Sequence, residues 1–139
     1  MAVLDVGCGS GILSIAAAKL GAAKVPGIEI DPLAAGVAAK NARLNRVERR
    51  GAVAQGSLPH VTVARAAYDL ACANISARVI CELAGELASA LRTGGALLAS
   101  GILSERLGEV ADRLGKAGLR VERTREEGDW VVLVAVAPS

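Results

Sequence analysis

The sequence has no phenylalanine, one tryptophan and one tyrosine, and aromatics make up 1% of its 139 residues. A core so poor in rings has to be filled by Leu, Val, Ile and Ala, which suits helices packed closely on a sheet. The same lack argues against a stacking platform for single-stranded nucleic acid. Histidine occurs once, at His60 in "SLPHV". It has no neighbour that would complete a metal or triad pattern, and it reads as a surface-loop residue. Cysteine occurs three times, as Cys8, Cys72 and Cys81. An odd count argues against a disulfide framework, and the absence of CxxC or His-Cys spacing argues against a metal site. With no secretory signal in view, a reduced, cytoplasmic setting is expected. Charge of one sign is also missing: 16 Lys and Arg stand against 14 Asp and Glu, a net charge of +2. That is no electrostatic footprint for nucleic acid, so direct nucleic-acid binding is not expected. Gly, Lys and Arg interrupt every apolar run, so none reads as a membrane span.

What is present is a 53% hydrophobic, 22% charged chain, which describes one globular domain over residues 1–139. Its elements alternate. "AVLDVG" (2–7) reads as a buried strand. Residues 10–22 read as a helix stopped at Gly21. "KVPGIEI" (24–30) reads as a second strand, although Pro26 would remove a ladder bond; it marks either a bulge or a strand that begins at Gly27. "DPLAAGVAAKNARLNRV" (31–47) begins with a capping Asp31 and a first-turn Pro32. Residues 51–56 make a third strand, and 57–67 are irregular, with room for one helical turn. "YDLACANI" (68–75) is a fourth strand. A helix then runs into the Gly94–Gly95 turn, and 96–102 is a fifth strand. A helix capped by Ser104 and stopped at Gly118 follows. The last segment reads as two strands around a Glu-Gly-Asp turn, a hairpin. Repeated strand–helix units require right-handed crossovers, a mainly parallel sheet and helices on both faces. The hairpin adds one antiparallel strand.

The densest chemistry lies in "VLDVGCGSG" (3–11). Gly7, Gly9 and Gly11 strip the backbone bare in the first strand–helix turn, where open α/β sheets bind ligands. The spacing is G-x-G-x-G. A dinucleotide fingerprint needs G-x-G-x-x-G, and here Ile12 stands where that last glycine would fall. A P-loop is excluded because no Gly-Lys-Ser/Thr follows. "GIEIDP" then sets Glu29 at the end of the second strand, where a carboxylate accepts hydrogen bonds from both ribose hydroxyls. Asp31 competes for that role but is better explained as the helix cap.

"VLDVGCGSG" followed by "GIEIDP" resembles the glycine motif and acidic strand end of class I S-adenosylmethionine-dependent methyltransferases. "LACANI", "GGALLASGIL" and "EEGDWVVLVAV" narrow the resemblance to the ribosomal protein L11 methyltransferases, over nearly the whole chain. The resemblance implies a Rossmann-like fold with a seven-stranded sheet, S-adenosyl-L-methionine as cofactor, and N-methylation of lysine side chains or the N-terminal amine of ribosomal protein L11. It implies that Gly7, Gly9 and Gly11 make room for the cofactor, and that Asp5 steadies the loop or meets the methionine amino group. Glu29 would bind the ribose, Ile30 would pack on the adenine, and Ser57 and Leu58 would lie at the adenine rim. Asn74 would face the methyl group and the incoming amine.

Two departures stand out. The family usually has Asp where this chain has Glu29. The family also carries, ahead of the first strand, a segment with a cofactor-contacting threonine and a separate domain that grips the substrate protein. The resemblance therefore implies a catalytic domain without its substrate-recognition domain.

Asn74 is expected to position an amine rather than to deprotonate it. The bland alternative is a loop asparagine bonded to its own backbone. Ile75-Ser76-Ala77 follow it in place of Pro-Pro-Tyr, which weakens a base-methylating reading. The cysteines read as small core residues. Other readings of the whole are a methyltransferase acting on a different substrate and a non-catalytic cofactor-binding or interaction module. A nicotinamide-dependent oxidoreductase fits less well, because the glycine spacing is wrong and no Tyr-Lys or His-Asp pair follows.

Overall fold

The structure is a computed structural model, and it describes residues 1–138. Seven strands form one sheet. They are β1 (Val3–Val6), β2 (Gly27–Glu29), β3 (Val53–Gln55), β4 (Tyr68–Asn74), β5 (Leu91–Leu103), β6 (Arg120–Glu127) and β7 (Trp130–Val136). Four helices connect them: α1 (Ile12–Lys19), α2 (Pro32–Leu44), α3 (Ala77–Ala90) and α4 (Leu107–Lys116). The strand order is β3-β2-β1-β4-β5-β7-β6. The pairs from β3 through β5 are parallel, and β7 runs antiparallel to both of its neighbours. The order reverses between β1 and β4. In an open α/β sheet that switch point opens a crevice at the carboxyl ends of the strands.

Strand alternation divides the core in two. Leu4 and Val6 of β1 point to one face with Ala71, Ala73, Leu97, Leu133 and the buried sides of α3 and α4. Val3 points to the other face, with Cys72 of β4 and Ala18 and Ala42 from α1 and α2. Small side chains let α1 and α2 lie close to the sheet, as the ring-poor composition requires.

Local chemistry sets most boundaries. The Asp31 carboxylate accepts from the Leu33 N–H at 3.0 Å, and Pro32 opens α2. Gly21 and Gly118 follow α1 and α4 with φ +106° and +94°, a conformation that favours glycine. Pro26 lies outside β2. The ladder starts at Gly27, whose N–H bonds the Ala52 carbonyl, while the Pro26 carbonyl accepts from Asp5.

Three expectations change. Leu91 already belongs to β5, and the register steps from Tyr68↔Leu91 to Leu70↔Ala96, so the Gly94–Gly95 turn is a bulge inside a longer strand. Ser104 is not a helix cap. It opens a short 3-10 turn, Ser104–Arg106, and Arg106 takes the N-cap position of α4. Within 57–67 no helix forms, and the segment holds a hydrogen-bonded turn in which the Val63 N–H donates to the His60 carbonyl at 3.0 Å.

Candidate functional site

A cavity of about 270 Å³ opens at the switch point, between the carboxyl ends of β1, β2 and β4. Five of the expected residues meet around it: Gly7, Glu29, Ile30, Ser57 and Asn74. Gly7 ends β1 with φ +71°, and a Cβ there would collide with the side chain of Ile75. The first turn and the end of β4 therefore touch, and only a bare backbone fits between them.

Glu29 stands at the end of β2. Its Oε1 accepts from the Gly9 N–H at 2.9 Å, and its Oε2 accepts from the Asp31 N–H at 3.1 Å. One carboxylate thus fixes the glycine loop after β1 and the turn into α2. A carboxylate has about four lone-pair sites, so two remain for a ligand. Next to it Ile30 is 70% exposed, a large apolar side chain left uncovered at the cavity wall.

Asn74 ends β4 and is exposed. In the β4–β5 ladder it pairs with Ser100. The next residue, Gly101, has φ +79°, and a Cβ on it would come within 2.9 Å of Asn74 Oδ1. A register shift in the β5–β7 pairing falls here, between Ala99 and Ile102. The irregularity brings bare backbone against the Asn74 carboxamide. A second cavity of about 520 Å³ shares Asn74, Ile75 and Ser76 with the first and is bounded by Gly101, Arg106 and Trp130. Asn74 thus borders both.

Four expected residues do not line the first cavity. Asp5 is buried and points toward α1, where its Oδ2 accepts from Ser14 Oγ–H at 2.7 Å. Burial raises its pKa, the Ser14 hydrogen bonds oppose that rise, and the Glu29 charge adds to it. In this position Asp5 ties the β1 end to α1. Gly9 reaches the site through its N–H to Glu29. Gly11, with φ +87°, packs its Cα against Ala38 of α2, where a Cβ would sit 3.4 Å from the Ala38 methyl. Leu58 is buried in the core.

The sequence reading missed Ile75, Ser76, Val79 and Gly56 in the first cavity and Gly101, Arg106 and Trp130 in the second. Ser76 caps α3 by accepting from the Val79 N–H at 3.4 Å, so a serine followed by a helical run was the available signal. Trp130, the only tryptophan, is 52% exposed, and an exposed ring in a ring-poor chain was another.

The three cysteines are free and buried. Burial, with the nearby charges of Asp5 and Glu29, pushes the Cys8 thiol up to about 12. Burial and Asp5 push Cys72 up to about 11. Both are protonated thiols at neutral pH and poor nucleophiles. Among the described residues no group of three His, Cys, Asp or Glu side chains could hold a metal ion, and no helix is long and apolar enough to cross a membrane.

Comparison with known proteins agrees with this architecture. A ribosomal protein L11 methyltransferase of Pelotomaculum thermopropionicum is 51% identical over 133 residues, covering 96% of this chain and 42% of the relative. The chain thus spans less than half the length of that protein. The crystal structure of a ribosomal protein L11 methylase from Lactobacillus delbrueckii subsp. bulgaricus superposes with a TM-score of 0.85 at 31% identity, over 99% of this chain and 70% of that one. An RNA methyltransferase from Salinibacter ruber, solved with S-adenosyl-L-homocysteine, has the same fold, with a TM-score of 0.76 at 24% identity over 99% of this chain and 81% of that one. The family model described as ribosomal protein L11 methyltransferase (PrmA) matches residues 1–138. Glycine turn, acidic strand end and sheet order agree with that match, and the chain belongs to the ribosomal protein L11 methyltransferase family.

Proposed function

We propose that this domain binds S-adenosylmethionine in the switch-point cavity and directs its methyl group to an amine of ribosomal protein L11. The observation that carries the reading is that Glu29 and Asn74 border one cavity, Glu29 fixed by the Gly9 N–H and Asn74 standing beside the bare backbone of Gly101. The residues fit the cofactor's chemistry. Glu29 offers carboxylate lone pairs to a vicinal diol, and charge-assisted bonds of that kind contribute about 1.5–3 kcal/mol each. Ile30 offers an uncovered apolar face to an adenine, and Ser57 borders the same wall. Gly7 permits close approach to the backbone. Asp5 acts one step back, by holding the start of α1.

When bound, the cofactor supplies a methyl group on a positively charged sulfur, a leaving group that needs no protonation. The chain's task is then alignment, which contributes several kcal/mol in well-oriented reactions. Asn74 Oδ1 is an acceptor that can hold an amine N–H and aim the nitrogen lone pair. A carboxamide does not take up a proton near neutral pH, so the amine has to arrive neutral. The second cavity supports an approach for the acceptor, because Asn74 borders both spaces.

The test has two parts. Calorimetric titration is expected to give tighter binding of S-adenosylmethionine or S-adenosylhomocysteine than of NAD; tighter NAD binding overturns the cofactor assignment. Transfer of labelled methyl groups to L11 is then measured for the chain alone and for the chain joined behind the remaining N-terminal part of the Pelotomaculum relative. Label on L11 in either arm, reduced by Asn74→Ala, supports the acceptor and the role of Asn74. Cofactor binding without label in either arm overturns L11 as the acceptor.

A further inference from the structure

The near-zero net charge hides where the charges stand. Every ion pair among the described residues joins partners between Asp69 and Glu127. The cations of the first half take part in none. No acid lies between Asp5 and Glu29, and Glu48 is the only one between Asp31 and Asp69. Asp5, Glu29 and Asp31 stand toward the carboxyl ends of β1 and β2, around the glycine loop. Lys19, Lys24, Arg43, Arg46, Arg49 and Arg50 are exposed and come from the opposite end.

Hydrogen bonds stitch that end together. The Val3 N–H donates to the Lys24 carbonyl at 2.8 Å, the Val25 N–H to the Arg50 carbonyl at 2.6 Å, and Arg50 Nη1 to the Ala18 carbonyl at 2.8 Å. The last turn of α1, the chain beyond α2 and the loop before β2 therefore meet at the amino ends of β1, β2 and β3. Helix dipoles account for Lys19 and Arg43, which lie in last turns, and Arg50 is engaged with a carbonyl. Lys24 and Arg49, in the loops, have no such role.

Arg46 has a less ordinary position. Helices α1, α2 and α4 end in the same pair of bonds. After α1 the Gly21 N–H donates to the Ala18 carbonyl and the Ala22 N–H to that of Ala17. After α4 Gly118 and Leu119 donate to Gly115 and Leu114. After α2 Arg46 and Val47 donate to Arg43 and Ala42. The motif needs a left-handed residue, and glycine supplies it without strain. Gly21 and Gly118 do so, whereas Arg46 adopts φ +60°. The chain thus accepts strain at the one position where a guanidinium takes glycine's place, among other cations and at the far end of the sheet from the switch-point cavity.

We propose that the amino end of β1, β2 and β3 docks the phosphate backbone of double-helical RNA through Lys19, Lys24, Arg43, Arg46 and Arg49. The guanidinium fork matches phosphate oxygens. A duplex fits better than a single strand, because no ring stands at this end for bases to stack on. Anionic lipid offers the same phosphate chemistry, but the exposed large apolar groups here are only Met1, Leu20 and Leu44. The assignment to RNA rests on the proposed acceptor, a protein of the ribosome. Docking at this end leaves the cavity at the other end open to that protein.

The test is fluorescence anisotropy with a short labelled RNA duplex, run beside a DNA duplex of the same sequence and vesicles containing phosphatidylserine. RNA is expected to bind with log affinity falling against log salt at a slope of roughly −4, about one counterion per cation engaged. Arg46→Gly is expected to weaken binding and reduce that slope by about 1, while raising the melting temperature because glycine takes the left-handed position without strain. Arg46→Glu with Arg49→Glu should lose at least roughly tenfold in affinity. Arg123→Glu with Arg125→Glu changes net charge equally on β6, the opposite edge of the sheet from β3, and should leave affinity nearly unchanged. Four results would overturn the proposal: no RNA binding, equal losses in the two charge-reversed variants, tighter binding to the DNA duplex, or tighter binding to the vesicles. The measurement needs neither cofactor nor L11, so its failure and a failure of the methyl-transfer reading are separate results.

Discussion

The two faces of the sheet are built differently from the same strands. On the α3/α4 face, Leu4, Ile80, Leu87, Leu97, Ile102, Leu114 and Leu133 are fully buried in one continuous cluster. On the α1/α2 face the buried set is small: Val3, Ala18, Ala22, Val25, Ala42, Val47 and Cys72. That face also holds the Asp5–Ser14 pair, the buried polar contact nearest the glycine loop. Large interlocking side chains make a core that resists change. Small ones let a helix N-terminus and a glycine turn come close to the strand ends. Stability is thus concentrated on one face, and loop placement is governed from the other.

Substitutions can sharpen or break this contrast. The largest effect is expected from Leu97→Ala, which opens a cavity in the α3/α4 core and should cost about 2–5 kcal/mol. Val25→Ala on the other face loses about two methyl(ene) equivalents and should cost roughly 1.6 kcal/mol. Urea midpoints at unchanged slope give both values, and equal losses would erase the distinction between the faces. Glu29→Ala should weaken S-adenosylhomocysteine binding at least roughly tenfold, or about 1.4 kcal/mol. Asp31→Ala should leave affinity nearly intact while lowering stability by about 1 kcal/mol through the lost cap. Calorimetry and thermal melts on the two variants separate the roles, and the reverse pattern would exchange the two acids.

Gly101→Ala should cost about 1–2 kcal/mol for a left-handed non-glycine residue and displace Asn74. Methyl transfer should fall while cofactor affinity holds, which parallel titration and transfer assays would check. The smallest effect concerns Asp5. Burial raises its pKa in the folded chain, so the folded state binds its proton more tightly than the unfolded chain does. Its contribution is most favourable at low pH and is lost as pH rises from about 4 through the raised folded value. Asp5→Asn keeps an acceptor for Ser14 without the charge. The variant should gain stability over the parent between about pH 4 and pH 7, and a constant difference in melting temperature across that range would contradict the burial argument.

The fold was legible wherever short-range chemistry decides an element. Asp31-Pro32, Gly21, Gly118 and the Gly128 hairpin each act through their own backbone geometry and sit where the pattern put them. Legibility ended where a tertiary contact decides. Ser104 has the right side chain for a cap, but a 3-10 turn intervenes and its hydroxyl is buried without a partner among the described residues. Gly94 and Gly95 carry a turn signature, yet pairing with Tyr68 keeps Leu91 in the sheet. In the site, residues at strand ends could be foreseen from topology. For Asp5 two roles were open from the sequence, and alternation along β1 turns it to the α1 side, where it bonds Ser14, while the cavity opens elsewhere. Gly101 was visible as a letter in "ASGIL", but its closeness to Asn74 exists only once β4 and β5 lie side by side.

The double hold of Glu29 on the Gly9 and Asp31 amides gives the site a spectroscopic signature of its own. Each of those N–H groups donates to one oxygen of the same carboxylate, so any ligand hydroxyl that draws on Glu29 polarises both at once. Gly9 and Asp31 lie in separate turns, on either side of α1 and β2. Their amide resonances should therefore move together along one titration curve, while Glu29→Gln, with a single acceptor oxygen, should uncouple them. Two backbone signals far apart in sequence become one gauge of whether the carboxylate is engaged, readable without a labelled cofactor or a turnover assay.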